Sequence, residues 1–432
     1  MQVFASTWLS YAGFYFCRHA FYVVKPELER DLGIDATVLG YIGVVYLVSY
    51  TIGQFLSAGV GRRIGARKLL LAGMALSAAV NVAFGFSQNA WTFAAFMAFN
   101  GLAQATGWAG NIGTMARWFR RRERGTVMGF WATCYQLGGV LAKGFAAFML
   151  GIAGWQWSFF GASIVLTAVW LIFYALQHNR PEDVGLPPLD DPDEPTEADE
   201  EEGSGGWTGQ MIATVSIAGA AYFFIKFIRY TLWSWGPYFL NQNFGLASDD
   251  AGYVSTLFDV GGFVGVIVAG LASDRLFSGR RTQTSLLMLL GLLATTTVLW
   301  FAGGESLAVF VICFSLIGFT LYGPDSLLSG AGAMDAGSRK HAIAAAGIIN
   351  GLGSIGSVVQ EPVISILLKK GPDGTPADLT PVLALLLLSS LVPRSLSSFR
   401  VLFGEWSEHP AECTDEEFKE APESVPVPCG LP

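Results

Sequence analysis

Apolar residues in this chain come in long blocks separated by short polar stretches. A hydrocarbon core of about 30 Å is crossed by roughly 20 mostly apolar residues in a helix, and runs of that length recur throughout. They predict spans near Phe4–Val24, Ala36–Val60, Leu69–Phe86, Trp91–Met115, Val127–Ile152 and Ser158–Leu176, then near Met211–Phe239, Ala251–Ala272, Ser285–Ala302, Leu307–Leu328 and Ala342–Leu368. The pattern is that of an all-α membrane protein. The first run begins at Val3 with no basic segment before it and holds Arg18, which fits a first spanning helix and not a cleavable leader.

The polar positions between the blocks alternate in character. Arg62, Arg63, Arg67 and Lys68 follow the second span, and Arg117, Arg120, Arg121, Arg122 and Arg124 follow the fourth. In the second half Arg275, Arg280 and Arg281, then Arg339 and Lys340, occupy the corresponding connections, whereas Gln88–Ala90 and Gly303–Ser306 carry no basic residue. Short loops rich in Lys and Arg stay in the cytoplasm, so the amino terminus is expected there.

Between the sixth and seventh spans lies a different composition. From Pro181 the chain passes through Asp190, Asp191, Asp193, Glu194, Glu197, Asp199, Glu200, Glu201 and Glu202 to Gly203–Gly206. Such a segment cannot bury a core and is expected to be a mobile cytoplasmic linker. The predicted organisation is a six-helix bundle over 1–177, the linker over 178–209, a second bundle over 210–380, and an atypical remnant with an acidic tail over 381–432. After Leu379 only Val382–Val392 is apolar, followed by Pro393, Arg394 and Arg400. About eleven residues are too few to span, and each arginine near the bilayer centre costs roughly 2.5–3.5 kcal/mol. The twelfth helix is therefore expected to be degenerate or truncated.

Composition agrees with the pattern. Of 432 residues, 52% are hydrophobic and 14% charged, against about 25% charged in soluble domains. The net charge of −8 disfavours nucleic acid as a partner, although the acidity sits between Glu182 and Glu202 and after Glu405, leaving the apolar remainder locally basic. Cys17, Cys134, Cys313, Cys413 and Cys429 show no close pairing and no metal-ligand spacing, so they read as reduced thiols. No metal or cofactor is implied.

Charges within apolar spans are costly enough to be functional candidates. They are Arg18 in the first span, Lys143 in the fifth, Lys226 and Arg229 in the seventh, Asp259 in the eighth and Glu361 in the eleventh. Basic groups predominate, and guanidinium forks match phosphate or carboxylate oxygens bidentately. Arg18 and Arg229 lie in the first helix of each half, so duplication sets them across one cavity; the alternative is that each snorkels to an interface. Lys226 is three residues before Arg229 and shares its face, though it and Lys143 could equally snorkel. Asp259 reads as a counter-ion or a proton carrier, and Glu361, beside Pro362, as a helix-end residue. Tyr11 and Tyr15 share a helical face with Arg18 and could donate to an oxyanion or simply pack. The glycine clusters Gly138–Gly139, Gly261–Gly262 and Gly347–Gly356 suit close helix packing.

Gly270, Ser273, Asp274, Arg275, Gly279, Arg280 and Arg281 form a string that resembles the loop motif of the major facilitator superfamily, implying its fold of two six-helix bundles. The first-half counterpart keeps Arg63, Gly65, Arg67 and Lys68 but has Arg62 where the family has aspartate, so a salt-bridge latch is not expected there. Longer stretches resemble the organophosphate:phosphate antiporter family: Tyr11 to Arg18, Asn100 to Trp108, Arg229 and Tyr230 through Trp235 and Pro237, and Tyr322–Gly323–Pro324. The likeness runs from the amino terminus to about Gly356 and includes Asn179–Pro181, Asp183, Gly185 and Leu186.

What the resemblance implies is a secondary transporter in a cell's inner, plasma membrane. It would exchange a sugar or glycerol phosphate for inorganic phosphate by alternating access, as a monomer. Arg18 and Arg229 would be the phosphate ligands, with Tyr11, Tyr15 and Tyr322 around them. Gln54 replaces a lysine of the glycerol phosphate branch, Tyr135 a histidine, and Ala109–Gly110–Asn111 a Pro-Pro-Cys element, which leaves phosphate binding in place and the organic part of the substrate open; Tyr135 would still line the site and Lys143 would restore a positive charge. A membrane receptor for the same ligand is the alternative. An enzyme is disfavoured, since no nucleophile–base pair or metal-ligand set falls in the spans.

Overall fold

The computed structural model describes residues 2–189, 191, 207–246, 248–367 and 380–397. Asp190, the acidic run within 192–206, Arg400, Cys413, Cys429 and the rest of the tail lie outside the described residues, as do the side chains of Pro237, Arg339 and Arg394. Among the described residues there is no strand. The helices are α1 (Gln2–Leu32), α2 (Ala36–Ile64), α3 (Ala66–Gly85), α4 (Ala90–Trp118), α5 (Arg124–Trp131), α6 (Thr133–Ala153) and α7 (Trp155–Leu176), then α8 (Gly209–Phe244), α9 (Ser248–Arg275), α10 (Arg281–Ala302), α11 (Leu307–Ser326), α12 (Gly332–Leu367) and α13 (Thr380–Ser397).

Local chemistry sets the joints. Asn89 caps α4 by accepting the Thr92 N–H at 3.0 Å, satisfying one of the donors a helix start leaves open. Gly154, at φ 90°, lets α6 turn directly into α7, a conformation closed to side chains with a Cβ. The run expected as one fifth span is interrupted at Ala132 into α5 and α6. In α11 the ring of Pro324 is followed by a π-helical turn over Leu327–Ala331; proline removes a backbone donor, and the π turn widens the helix beside Asp325.

Nine helical segments among the described residues are long and apolar enough to cross a membrane. The predicted first and fourth spans are not among them. In α4 the reason is visible, because Asn100, Gln104 and Asn111 lower the hydropathy and are all buried; α1 is lowered likewise by Arg18 and by polar residues near its ends. Outward, Val140, Ile164, Leu171, Leu287 and Ile312 are each more than half exposed. An apolar exterior around a polar-lined interior is what a bilayer solvent selects.

The twelfth helix is longer than its apolar run. Its 18 residues extend about 27 Å at 1.5 Å per residue, and Val382, Leu383, Leu386, Ser389 and Ser390 are buried where α13 packs on α8 and α10. The glycine clusters serve packing: a Cβ on Gly138 would stand 2.9 Å from the Ala12 Cα, and one on Gly347 2.8 Å from the Gln54 carbonyl.

Helices α1–α7 and α8–α13 join most closely at the arginine-rich end. Asp335 accepts from Arg124 Nη1 at 3.1 Å and from Arg281 Nε at 3.3 Å. Asp274 pairs with Arg281 and accepts the Thr126 N–H, and Arg281 also donates to the Arg121 carbonyl. Gly129 lies against Gly270, and Gly61 and Gly113 face Ile343. The second-half loop string thus latches the two halves. Its first-half counterpart instead holds its own bundle, where Arg67 donates to the Tyr174 carbonyl and its N–H to Asn179.

Candidate functional site

Arg18 sits midway along α1, anchored by a chain of buried amides. Its Nε donates to Gln104 Oε1 at 2.9 Å, an oxygen that also accepts from the Tyr46 hydroxyl at 3.0 Å. Gln104 Nε2 donates in turn to Ser77 at 3.3 Å and Asn100 at 3.2 Å, and Asn100 donates to the Cys17 carbonyl on α1. Every member is neutral. The guanidinium lies 4.5 Å from the Tyr15 ring centroid, 5.3 Å from Tyr50 and 5.7 Å from Tyr46, within the reach of cation–π attraction. Its Nη2 is buried with no partner in the protein, a donor whose desolvation goes uncompensated until an acceptor arrives.

Arg229 sits midway along α8, among similar rings and a different anchor. Nη1 donates to both oxygens of Asp325, at 3.2 and 3.1 Å. The guanidinium lies 4.4 Å from the Tyr322 centroid, 5.2 Å from Tyr135 and 5.9 Å from Tyr230. Tyr135 stacks on Tyr322 at 6.2 Å, so α6 of the first half and α11 of the second meet around this arginine. The Tyr322 hydroxyl donates to Asp259 at 2.7 Å. One turn before Arg229, Lys226 Nζ donates to Asn350 Oδ1 at 2.6 Å and Ser354 Oγ at 2.8 Å on α12.

A single cavity of about 340 Å³, counted with its mouth, joins these settings. Arg18, Tyr11, Tyr15, Tyr50, Trp108 and Tyr135 line it from the first half, and Tyr222, Lys226, Arg229, Tyr230, Asp325 and Asn350 from the second. Two guanidinium groups, an ammonium and several phenol rings can hold oxyanion oxygens and the body that carries them. Among the described residues no cluster of three or more His, Cys, Asp or Glu side chains is set to hold a metal ion.

Of the residues expected at the site, Arg18, Arg229, Tyr11, Tyr15, Tyr135 and Lys226 line this cavity. Three stand elsewhere. Tyr322 lies behind Arg229, its ring under the guanidinium. Asp259 accepts from Tyr322, and the carboxylate that meets Arg229 is Asp325, so the counter-ion expected at Asp259 is one helix away. Lys143 is exposed on α6, with Nζ 5.5 Å from the Trp233 ring across the halves. Glu361, six residues from the end of α12, accepts from Ser234 at 2.6 Å.

Sequence reasoning missed Asp325, Asn350, Tyr50 and Tyr222, and the brace at Gln104. Asp325 follows directly on Tyr322–Gly323–Pro324 within an apolar span, the same signal that singled out Arg18. Asn350 and Gln104 are uncharged and gave no comparable signal. Trp108 and Tyr230 fell in the matched stretches without being assigned a place at the site.

Residues 4–360 match the family model of the Major Facilitator Superfamily. Among curated proteins the chain is similar to "Membrane sensor protein UhpC" of Salmonella typhimurium, 28% identical over 81% of this chain and 80% of that protein. It is 30% identical to "Probable hexose phosphate transport protein" of Chlamydia pneumoniae over 80% of each chain. It is also 30% identical to "Glycerol-3-phosphate transporter" of Bacillus subtilis, over 82% of this chain and 83% of that one.

Proposed function

The chain belongs to the major facilitator superfamily and, within it, to the organophosphate:phosphate antiporter family, and from that premise we propose that it exchanges a small organic phosphate for inorganic phosphate across a membrane. The observation that carries the reading is the placing of Arg18 and Arg229, one from each half, on one cavity. A phosphate monoester bears about −1.5 to −2 charge at neutral pH. Two guanidiniums offer it opposed forks, and the partnerless Nη2 of Arg18 gains an acceptor when it binds. The names of the hexose phosphate and glycerol-3-phosphate relatives support a sugar or glycerol phosphate as the ester.

Exchange follows from the site belonging to both halves. With the arginine-rich loops in the cytoplasm, as their charge directs, the ion pairs of Asp335 and Asp274 would hold the halves together at the cytoplasmic end of a plasma-membrane protein. Rocking of the halves about a bound anion would break those pairs and open that face. We take the moving bodies as 1–177 and 210–397, with 178–209 as tether; the second runs to Ser397 because α13 packs against α8 and α10. We take the monomer as the working unit.

Similarity to a membrane sensor favours a second reading, a receptor that binds the same ligand without net flux. Vesicles containing the purified protein and loaded with phosphate separate the two. Uptake of external labelled phosphate that depends on internal phosphate is the expected result. Binding of glucose 6-phosphate or glycerol 3-phosphate without any exchange would replace the transporter by the sensor.

A further inference from the structure

Four charged side chains line the cavity: Arg18, Lys226, Arg229 and Asp325. Arginine does not deprotonate; with Lys226 as its ammonium, donating to Asn350 and Ser354, three cations and one anion leave a net charge of about +2. Lys226 and Asp325 are both buried, so bulk water does little to screen them. Around Asp325 stand Tyr322 and Ser329 of the same helical run, Arg229, Lys226 and Tyr222 of α8, and Tyr135 of α6. Asp259 lies behind the Tyr322 ring, and Lys143 is exposed outside the lining.

We propose that Lys226 and Asp325 act as an opposed pair of selectivity residues that sets the valence of the bound anion at two. The inference rests on the cavity being the phosphate site. With both present, the cavity's excess charge equals that of a phosphate monoester dianion. A phosphodiester monoanion leaves one positive charge uncompensated, and an ester that also bears a carboxylate brings one negative charge too many. Removing Asp325 raises the cavity to +3 and frees Arg229 from its carboxylate; removing Lys226 lowers it to +1. Removing both restores +2 with different atoms, so the doubly substituted site separates charge from shape.

The test is competition against labelled inorganic phosphate on the purified full-length protein, at a pH about two units above the second phosphate ionisation near 6. The probes are dimethyl phosphate, methyl phosphate and phosphoglycolate, with charges of about −1, −2 and −3. The wild type is expected to prefer methyl phosphate. Asp325→Asn should raise the affinity for phosphoglycolate relative to methyl phosphate by about tenfold or more, the scale of one unit charge a few ångströms away in a partly dehydrated site. Lys226→Met should move the preference toward dimethyl phosphate, and the double variant should return it to methyl phosphate. A residue that only supports the fold would weaken all three probes together. Unchanged ratios in the single variants, or a double variant that keeps the ratio of one single, would overturn the inference and leave the phosphate site standing. Failure of the wild type to bind labelled inorganic phosphate would overturn the site itself. Should one single variant fail to fold, the other single and the charge-restored double still decide the ratio.

Discussion

Arg18 and Arg229 hold equivalent places in the two halves, yet their surroundings differ in one respect with large electrostatic weight. Each is clasped by tyrosine rings and each is braced by one side chain, but the brace is the neutral Gln104 in the first half and the carboxylate Asp325 in the second. An amide orients a guanidinium and leaves its charge free. A carboxylate orients it and cancels that charge locally, at the desolvation cost that buried ion pairs carry. On the proposed function the two cations divide their work: the first half would offer an unneutralised anchor for an anion, and the second a compensated one with Lys226 beside it.

The largest expected effect tests that division directly. Arg18→Lys keeps the charge but loses both the fork and the bond to Gln104. Losing charge-assisted hydrogen bonds of this kind costs about 2–3 kcal/mol, roughly 30–150-fold in affinity. Phosphate exchange in vesicles should fall by about that factor while the protein remains inserted and monodisperse. Arg229→Lys should cost less, about tenfold, because the guanidinium it removes is already paired and Lys226 remains. Equal losses in the two variants would mean that the neutral and charged braces make no difference to the anion.

A gentler change would make one half imitate the other. Gln104→Glu gives Arg18 a carboxylate of its own, with the length and branching of the side chain unchanged. The first anchor then becomes compensated like the second, and the affinity for inorganic phosphate should drop by about tenfold, read by equilibrium binding. Unaltered binding would show that an anion draws on Arg18 regardless of what stands behind it.

How far the sequence discloses this arrangement depends on whether a residue's signal is local. Long apolar runs state the number of helices because the bilayer sets their length, and Arg18 and Arg229 stand out because a charge in such a run has few bland explanations. Asp325 carried the same signal and was passed over beside the Tyr322–Gly323–Pro324 match. Gln104 and Asn350 are different in kind. An amide in an apolar run is cheap enough to be common, and its partner lies 86 residues away in the first case and 124 in the second, so only the packed bundle brings them into view. Asp259 is the converse case. Its charge marks it as a counter-ion or a proton carrier, but which of two carboxylates on neighbouring helices meets Arg229 is decided by the packing of α9 and α11 and by the turn at Pro324. The twelfth helix was judged by its apolar run alone, whereas α13 continues beyond that run to Ser397.

The smallest expected effect concerns Lys143, the one basic residue of the spans that sequence alone would place at the cavity and the structure sets apart from it. It is exposed on α6, and its closest aromatic partner is Trp233 of the other half. An exposed cation contributes about 0–1 kcal/mol through such contacts, too little to select among bound anions. Lys143→Ala should change phosphate exchange by less than about twofold and leave the relative affinities of methyl phosphate and phosphoglycolate where they were. A selective loss of phosphoglycolate would return Lys143 to the cavity, make it a second free cation of the first half, and remove the need for Lys226 as the charge that offsets Asp325. An equal loss for both ligands would instead assign it to the movement of the halves, through its contact with Trp233 across their boundary. The comparison between the two arginines thus depends on Lys143 staying silent, because a second free cation in the first half would make the asymmetry a matter of number and no longer of bracing.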